Sequence, residues 1–382
     1  MRKITTLFIL MILLIIAFPP DLFAPPLFRG RTEKQMAARI GSFPAAYYTG
    51  SSVTDGIQEA NDAAFAAGGG TVWLSAEAYT LETNLDLDSN VSLQGTGMGT
   101  IVQSDTSTDR LVVVSTITGT PDLLESVAVG VNVLTCSTAA NASDYTGGDV
   151  VYLDDSSVDT EPYTFYVVSS GNGSSGSIVL ESNTIYAYPG TPRIKERSRG
   201  DSETNDVSIK DIYFKNVKLF LDQTTNVNIE GCRFEDADDE TIKMLNSNKI
   251  TITNNHISNS TSEAIEILRS GDVSVVNNKI DKNTNIAIDV TGSSKCVLSG
   301  NTITGNDSGY GIRINDSIFN VLSDNLIDST ADDEIYLSAT ADSNTVAGNI
   351  IPYGVIDNDG AGNRGSGNIY STCEGCDEPS SW

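Results

Sequence analysis

The sequence is short of positive charge, of histidine and of cysteine, and each shortage removes a class of function. Lys and Arg number 23 against 50 Asp and Glu, a formal net charge of −27 over 382 residues. So acidic a surface repels nucleic acid and anionic membrane, and it disfavours direct contact with a polyanionic polysaccharide. An acidic ligand would need a bridging divalent cation, with Ca2+ as the candidate; otherwise the acidity keeps an exported or salt-exposed protein soluble. Five cysteines are too few for a disulfide framework in a chain of this length. Cys373 and Cys376 suit a tail disulfide, free thiols or half of a zinc site, and the single histidine, His256, weakens the zinc alternative. Cys232 and Cys296 read as small buried apolar groups, and His256 as a structural or exposed side chain.

A long hydrophobic run is missing as well. The apolar stretch from Leu7 to Phe18, behind Arg2 and Lys3, is shorter than the ~20 residues that span a bilayer. Residues 1–24 therefore read as a secretory signal, with an N-terminal anchor as the alternative because Pro25 would follow the cut. Residues 25–50 read as a Pro-rich linker, and the protein as secreted or held at the cell surface.

What the chain does contain is a repeat. Between Asp206 and Ile351 one pattern returns seven times: apolar, any, apolar, two loose positions, a polar slot, any, apolar. The slot is filled by Ile212, Cys232, Asn255, Asn278, Asn301, Asn325 and Asn349, at intervals of 20 to 24 residues. That period with alternating apolar residues marks a solenoid whose unit is a turn of strands. Five asparagines in one slot imply a ladder of side-chain amides that satisfies buried backbone at a bend. The expected fold is all-β: a right-handed single-stranded parallel β-helix with an N-terminal capping helix and a small all-β insertion.

A second pattern keeps step with the first. After each bend comes an apolar, any, apolar triplet such as Ile242-Lys-Met244 or Ile265-Glu-Ile267. Strand side chains alternate faces, so the flanking residues point inward and the middle ones outward. Phe220, Lys243, Glu266, Asp289, Arg313 and Tyr336 should then form one outward column, with Glu240 and Glu263 stacked at its edge and Asp239 beside Glu240. Such a set of acids with one Lys and one Arg is suited to polysaccharide chemistry. In a lyase, Lys or Arg removes a proton next to a neutralised uronate; in a glycoside hydrolase, two carboxyls act as acid and base or nucleophile. The catalytic candidates are Lys243, Glu266, Asp289, Arg313, Asp239 and Glu240. Phe220 and Tyr336 are candidate substrate contacts, and Glu240, Glu263, Glu266 and Asp289 are candidate cation ligands. The competing expectation is a solvated face on a non-catalytic adhesion or structural rod.

The start of the chain carries a resemblance. Asp55 to Ala67, Gly68-Gly-Gly-Thr-Val-Trp-Leu74, Tyr79-Thr-Leu81 and Asn90-Val-Ser-Leu-Gln-Gly-Thr-Gly-Met-Gly-Thr-Ile101 resemble the opening of the pectate-lyase-like β-helix superfamily. The resemblance implies a short helix covering the open end of the solenoid, and a polysaccharide as partner. It does not choose a chemistry, because one fold hosts many. Asp239-Glu240-Thr-Ile-Lys-Met244 is similar to the Asp-Asp-Cys-Ile-Ala-Ile stretch of polygalacturonases, with Glu in place of the second Asp. The accompanying Asn-Thr-Asp and Gly-His-Gly are absent, as is the Asp-Pro-His-Asp of alginate epimerases. The chain then divides into cap and first coils (51–126), a small β insertion with a basic loop at Arg193, Lys195, Arg197 and Arg199 (127–200), repeats (201–356) and a C-terminal tail (357–382).

Overall fold

The computed structural model describes residues 41–48, 53–104, 110–114, most of the stretch from 122 to 196, 205–328, 332–352 and 354–374. The signal or anchor and Arg197, Arg199 and Cys376 lie outside the described residues. Two long sheets wind together as a parallel solenoid. One has ten strands and the other seventeen, and their members recur coil after coil. The registers are those the repeat implies: Ile242 faces Ile265, Ile265 faces Ile288 and Ile288 faces Ile312, all in parallel. The inward residues of every coil form one continuous core.

Side-chain ladders hold the bends. Asn255, Asn278, Asn301 and Asn325 each donate Nδ2 to the Oδ1 of the next Asn at 2.9–3.1 Å. The same Oδ1 atoms accept the backbone N–H one coil below, so buried groups at the bend are matched. Cys232 begins the ladder through its backbone N–H on Asn255 Oδ1, at 2.8 Å. Its thiol is buried and pushed up to about 12 by desolvation, so it behaves as a small apolar group. A second corner uses Ser247, Ser270, Ser293 and Ser317, each backbone N–H meeting the next hydroxyl. A third uses Asn320, Asn344 and Asn363.

The capping helix spans Ile57–Ala66 and buries Ile57, Ala60, Asn61 and Ala64, whereas Ala67 falls outside it and is exposed. Gly70 has a physical requirement here: a Cβ on it would lie 2.5 Å from the Phe43 ring. Three expectations are corrected. Ser42–Pro44, within the supposed linker, is a strand paired with Gly70–Trp73, so the coils begin earlier. The solenoid also continues past 356: Val355–Asn358, Arg364–Ser366 and Thr372–Glu374 add strands, and Asn368 extends the Asn ladder. The Asn349-to-Asn368 step shortens to 19 residues and its strand is not apolar, which hid the coil in the sequence. Finally, Arg193 and Lys195 lie on the strand Pro192–Glu196, antiparallel to Val150–Asp155, and not in a loop. That strand belongs to a six-stranded sheet with its own core around Leu134, Val151, Leu153 and Ile178, the expected insertion.

Candidate functional site

The ten-stranded sheet brings the outward column together as the spacing demands. Phe220 pairs with Lys243, Lys243 with Glu266, Glu266 with Asp289, Asp289 with Arg313, and Arg313 with Tyr336. Neighbours one coil apart are about 4.8 Å apart, so the column runs roughly 24 Å along the solenoid axis.

Two ion-pair groups resolve the crowding of acids. Lys243 Nζ lies 2.7 Å from Glu266 Oε2 and 3.0 Å from Glu240 Oε1, one ammonium bridging two carboxylates. The contact to Glu266 is close but poorly directed, and that oxygen makes no hydrogen bond although it is buried. Asp289 takes both edges of the Arg313 guanidinium, Nε at 2.9 Å and Nη2 at 2.8 Å. The fork folds back over the ladder and covers its partner, leaving Asp289 1% exposed. Asp289 was expected to face solvent with the rest of the column; here it anchors Arg313 from beneath.

These contacts set the proton affinities. Burial pushes the Glu266 carboxyl above the ordinary Glu range, with Glu240 and Glu263 adding repulsion that Lys243 only partly offsets. Burial works against the charge on Lys243, but the two carboxylates it pairs with, Glu266 and Glu240, outweigh that and hold it protonated. The bond to Asp289 raises Arg313 against its own desolvation. Asp239 is also desolvated, yet the bonds from Glu240 and the charge of Lys218 leave its carboxyl below the ordinary range. Hence Glu266 is a carboxyl on this face whose proton affinity lies above the ordinary range, while both cations are held in their charged form.

The raised carboxyl has a stability consequence. In the window between the unfolded and folded values the folded chain holds a proton that the unfolded chain has lost, so this group's contribution falls as pH rises through it. Lys243→Met removes the offsetting cation, and unfolding midpoints measured against pH are expected to fall more steeply across the window than in the wild type.

Two residues escaped the sequence reading. Tyr310 stacks on Tyr336, ring centroids 4.8 Å apart and planes at 15°. It stands two residues before Ile312, as Glu240 and Glu263 stand before Ile242 and Ile265, so the same count would have found it. Lys218 bonds Asp238 at 3.0 Å and Asp239 at 3.4 Å. With Phe220, Asp239, Glu240, Lys243 and Leu245 it lines a pocket of about 230 Å³ at the other end of the column.

Each of the four carboxylates expected as cation ligands has a side-chain partner in the fold. Glu240 and Glu266 share Lys243, Asp289 is taken by Arg313, and Glu263 accepts from Asn285 at 2.9 Å and Ser262 at 2.5 Å. Among the described residues no group of three or more His, Cys, Asp or Glu is arranged to hold a metal ion.

The comparisons agree with this architecture. A family model described as "Right handed beta helix region" matches residues 194–351. No curated protein sequence matches the chain. Among solved structures, tailspike gp61 of Pseudomonas phage phi297 is similar at 13% identity and a TM-score of 0.52, covering 83% of this chain and 66% of that one. Tailspike protein gp49 of Pseudomonas phage LKA1 gives 16% identity and 0.52, covering 81% and 56%. ORF18 of Geobacillus virus E2 gives 11% and 0.50, covering 89% and 63%. The chain thus spans less than two thirds of each of these proteins, and at such identities the likeness is one of fold. Residues 194–351 match a right-handed β-helix region, and the chain carries the parallel β-helix fold that these structures share.

Proposed function

We propose that this is an exported carbohydrate-active protein that binds a polysaccharide along the column from Phe220 to Tyr336 and cleaves it with Glu266 as proton donor. The observation that carries this reading is a carboxyl with raised proton affinity on a face closed at one end by the Tyr310–Tyr336 stack and at the other by the Phe220 pocket. Aromatic faces suit the apolar faces of sugar rings, and the flanking side chains supply hydrogen bonds. A net charge of −27 favours a neutral chain over a polyanion. Within carbohydrate chemistry, hydrolysis is favoured over β-elimination, because Lys243 and Arg313 are both held protonated and neither is free to abstract a proton. Glu240, bridged to Glu266 through Lys243, is the carboxylate available as base or nucleophile. Asp289 is too deeply covered to reach a sugar and serves to position Arg313.

The test is incubation with a panel of neutral and acidic polysaccharides, with and without Ca2+. New reducing ends without ultraviolet-absorbing products are expected, and Glu266→Gln should slow their appearance about 100- to 10,000-fold while binding persists. Unsaturated products would replace the hydrolase reading with a lyase. A second reading, a non-catalytic surface or structural rod, draws on the way the charges neutralise one another in the Asp289–Arg313 and Glu240–Lys243–Glu266 groups. It predicts no products from any substrate and no effect of Glu266→Gln.

A further inference from the structure

The seventeen-stranded sheet carries another outward column with the opposite character. Tyr213, Arg233, His256, Lys279, Thr302 and Leu326 stack in parallel register, so three successive coils present a guanidinium, an imidazole and an ammonium. The column holds no carboxylate. On a chain with 50 acids against 23 bases, such a row is not what an average surface would place there. It borders a groove of about 460 Å³ that Met98, Asn254 and Asn277 also line.

The acids stand on one side and hold these side chains in place. Glu235 holds Arg233 Nη2 at 3.1 Å, while Asp281 holds Lys279 Nζ at 2.7 Å and His256 Nε2 at 3.0 Å. On the other side lie the turn residues Asn254 and Asn277, exposed carboxamides with φ of 57°. Asp211, at the end of this row of turns, is occupied by Gln94 Nε2 at 2.9 Å. Arg233 lies over the Tyr213 ring, 5.3 Å from its centroid, which sets the plane of its fork. Its Nε is buried without a partner, a donor the fold leaves unmatched. Arg233, His256 and Lys279, flanked on the same face by carboxylates on one side and carboxamides on the other, form a preorganised row.

We propose that this groove binds an oxyanion, a carboxylate, sulfate or phosphate group carried by a small acidic ligand, across Arg233, His256 and Lys279. The site lies on a different sheet from the Phe220–Tyr336 column and does not depend on catalysis there. Titration of inorganic sulfate into the full chain, exchanged against chloride at constant ionic strength and followed by calorimetry, tests it. Saturable binding with a dissociation constant of about 1 mM or tighter is expected. Arg233→Gln and Lys279→Gln should each weaken it about tenfold, Arg233→Lys should recover part of the loss, and Glu266→Gln should leave it unchanged. The control is Lys295→Gln, an exposed lysine in a turn outside the groove, which should also have no effect. Absence of saturation in the wild type would overturn the proposal. So would an equal loss in Lys295→Gln, because binding would then follow net charge and not this groove.

Discussion

Asn301→Leu is expected to lower the stability of the solenoid by about 3–5 kcal/mol, the upper end for a single substitution. Asn301 Oδ1 accepts from the backbone N–H of Asn278 at 3.0 Å and from Asn278 Nδ2 at 3.1 Å. Its Nδ2 donates to the Val275 carbonyl at 2.9 Å and to Asn325 Oδ1 at 3.0 Å. Leucine matches the volume but leaves a buried backbone N–H without an acceptor and a buried carbonyl without this donor. Each orphaned group costs about 1–3 kcal/mol, and water cannot enter to replace the amide. The contrast is Asn277→Gly, at an exposed turn with φ of 57°, where glycine accepts the backbone and the change should stay within about 1 kcal/mol. Urea unfolding read together with amide exchange at Asn278 measures both. A loss below about 1 kcal/mol for Asn301→Leu would mean that the ladder decorates the bend without holding it.

Arg313→Met is expected to cost about as much, 3–5 kcal/mol, for a different reason. Asp289 is 1% exposed, and Arg313 makes two directed bonds to it. Without the guanidinium, the contacts left to the carboxylate among the described residues are the weak ones from Thr291 Oγ1 at 3.3 and 3.4 Å. The cost is that of a stranded buried charge and not the worth of the pair, so Asp289→Leu combined with Arg313→Met should recover most of the loss. Additive losses in the double variant would show that the pair does not act as a unit.

Much of this architecture could be read before any coordinates, and the reason is local. A parallel coil converts spacing into adjacency: residues 23 or 24 apart become vertical neighbours, so counting from Ile242 to Ile265 to Ile288 to Ile312 gave the register of the ladder. The Asn ladder was legible because one slot repeats one residue type. The C-terminal coils were not, because the step to Asn368 is shorter and Arg364-Gly-Ser366 carries no apolar alternation. Within the site, the sequence showed which charges meet but not which are covered. That Asp289 lies beneath Arg313 while Glu266 keeps a poorly directed contact depends on side-chain torsions that spacing does not encode. The row at Arg233, His256 and Lys279 obeys the same arithmetic on the other sheet, outside the apolar triplets that mark the first column.

The claim that the Phe220–Tyr336 column is the functional face is tested most directly by glycan binding to Tyr310→Ala/Tyr336→Ala. The stacked rings form an aromatic surface on that face, and truncating both should weaken binding of a recognised polysaccharide by about 10- to 100-fold, with the unfolding midpoint nearly unchanged. Binding of equal strength in the wild type and the double variant would contradict the account and move carbohydrate recognition away from this sheet.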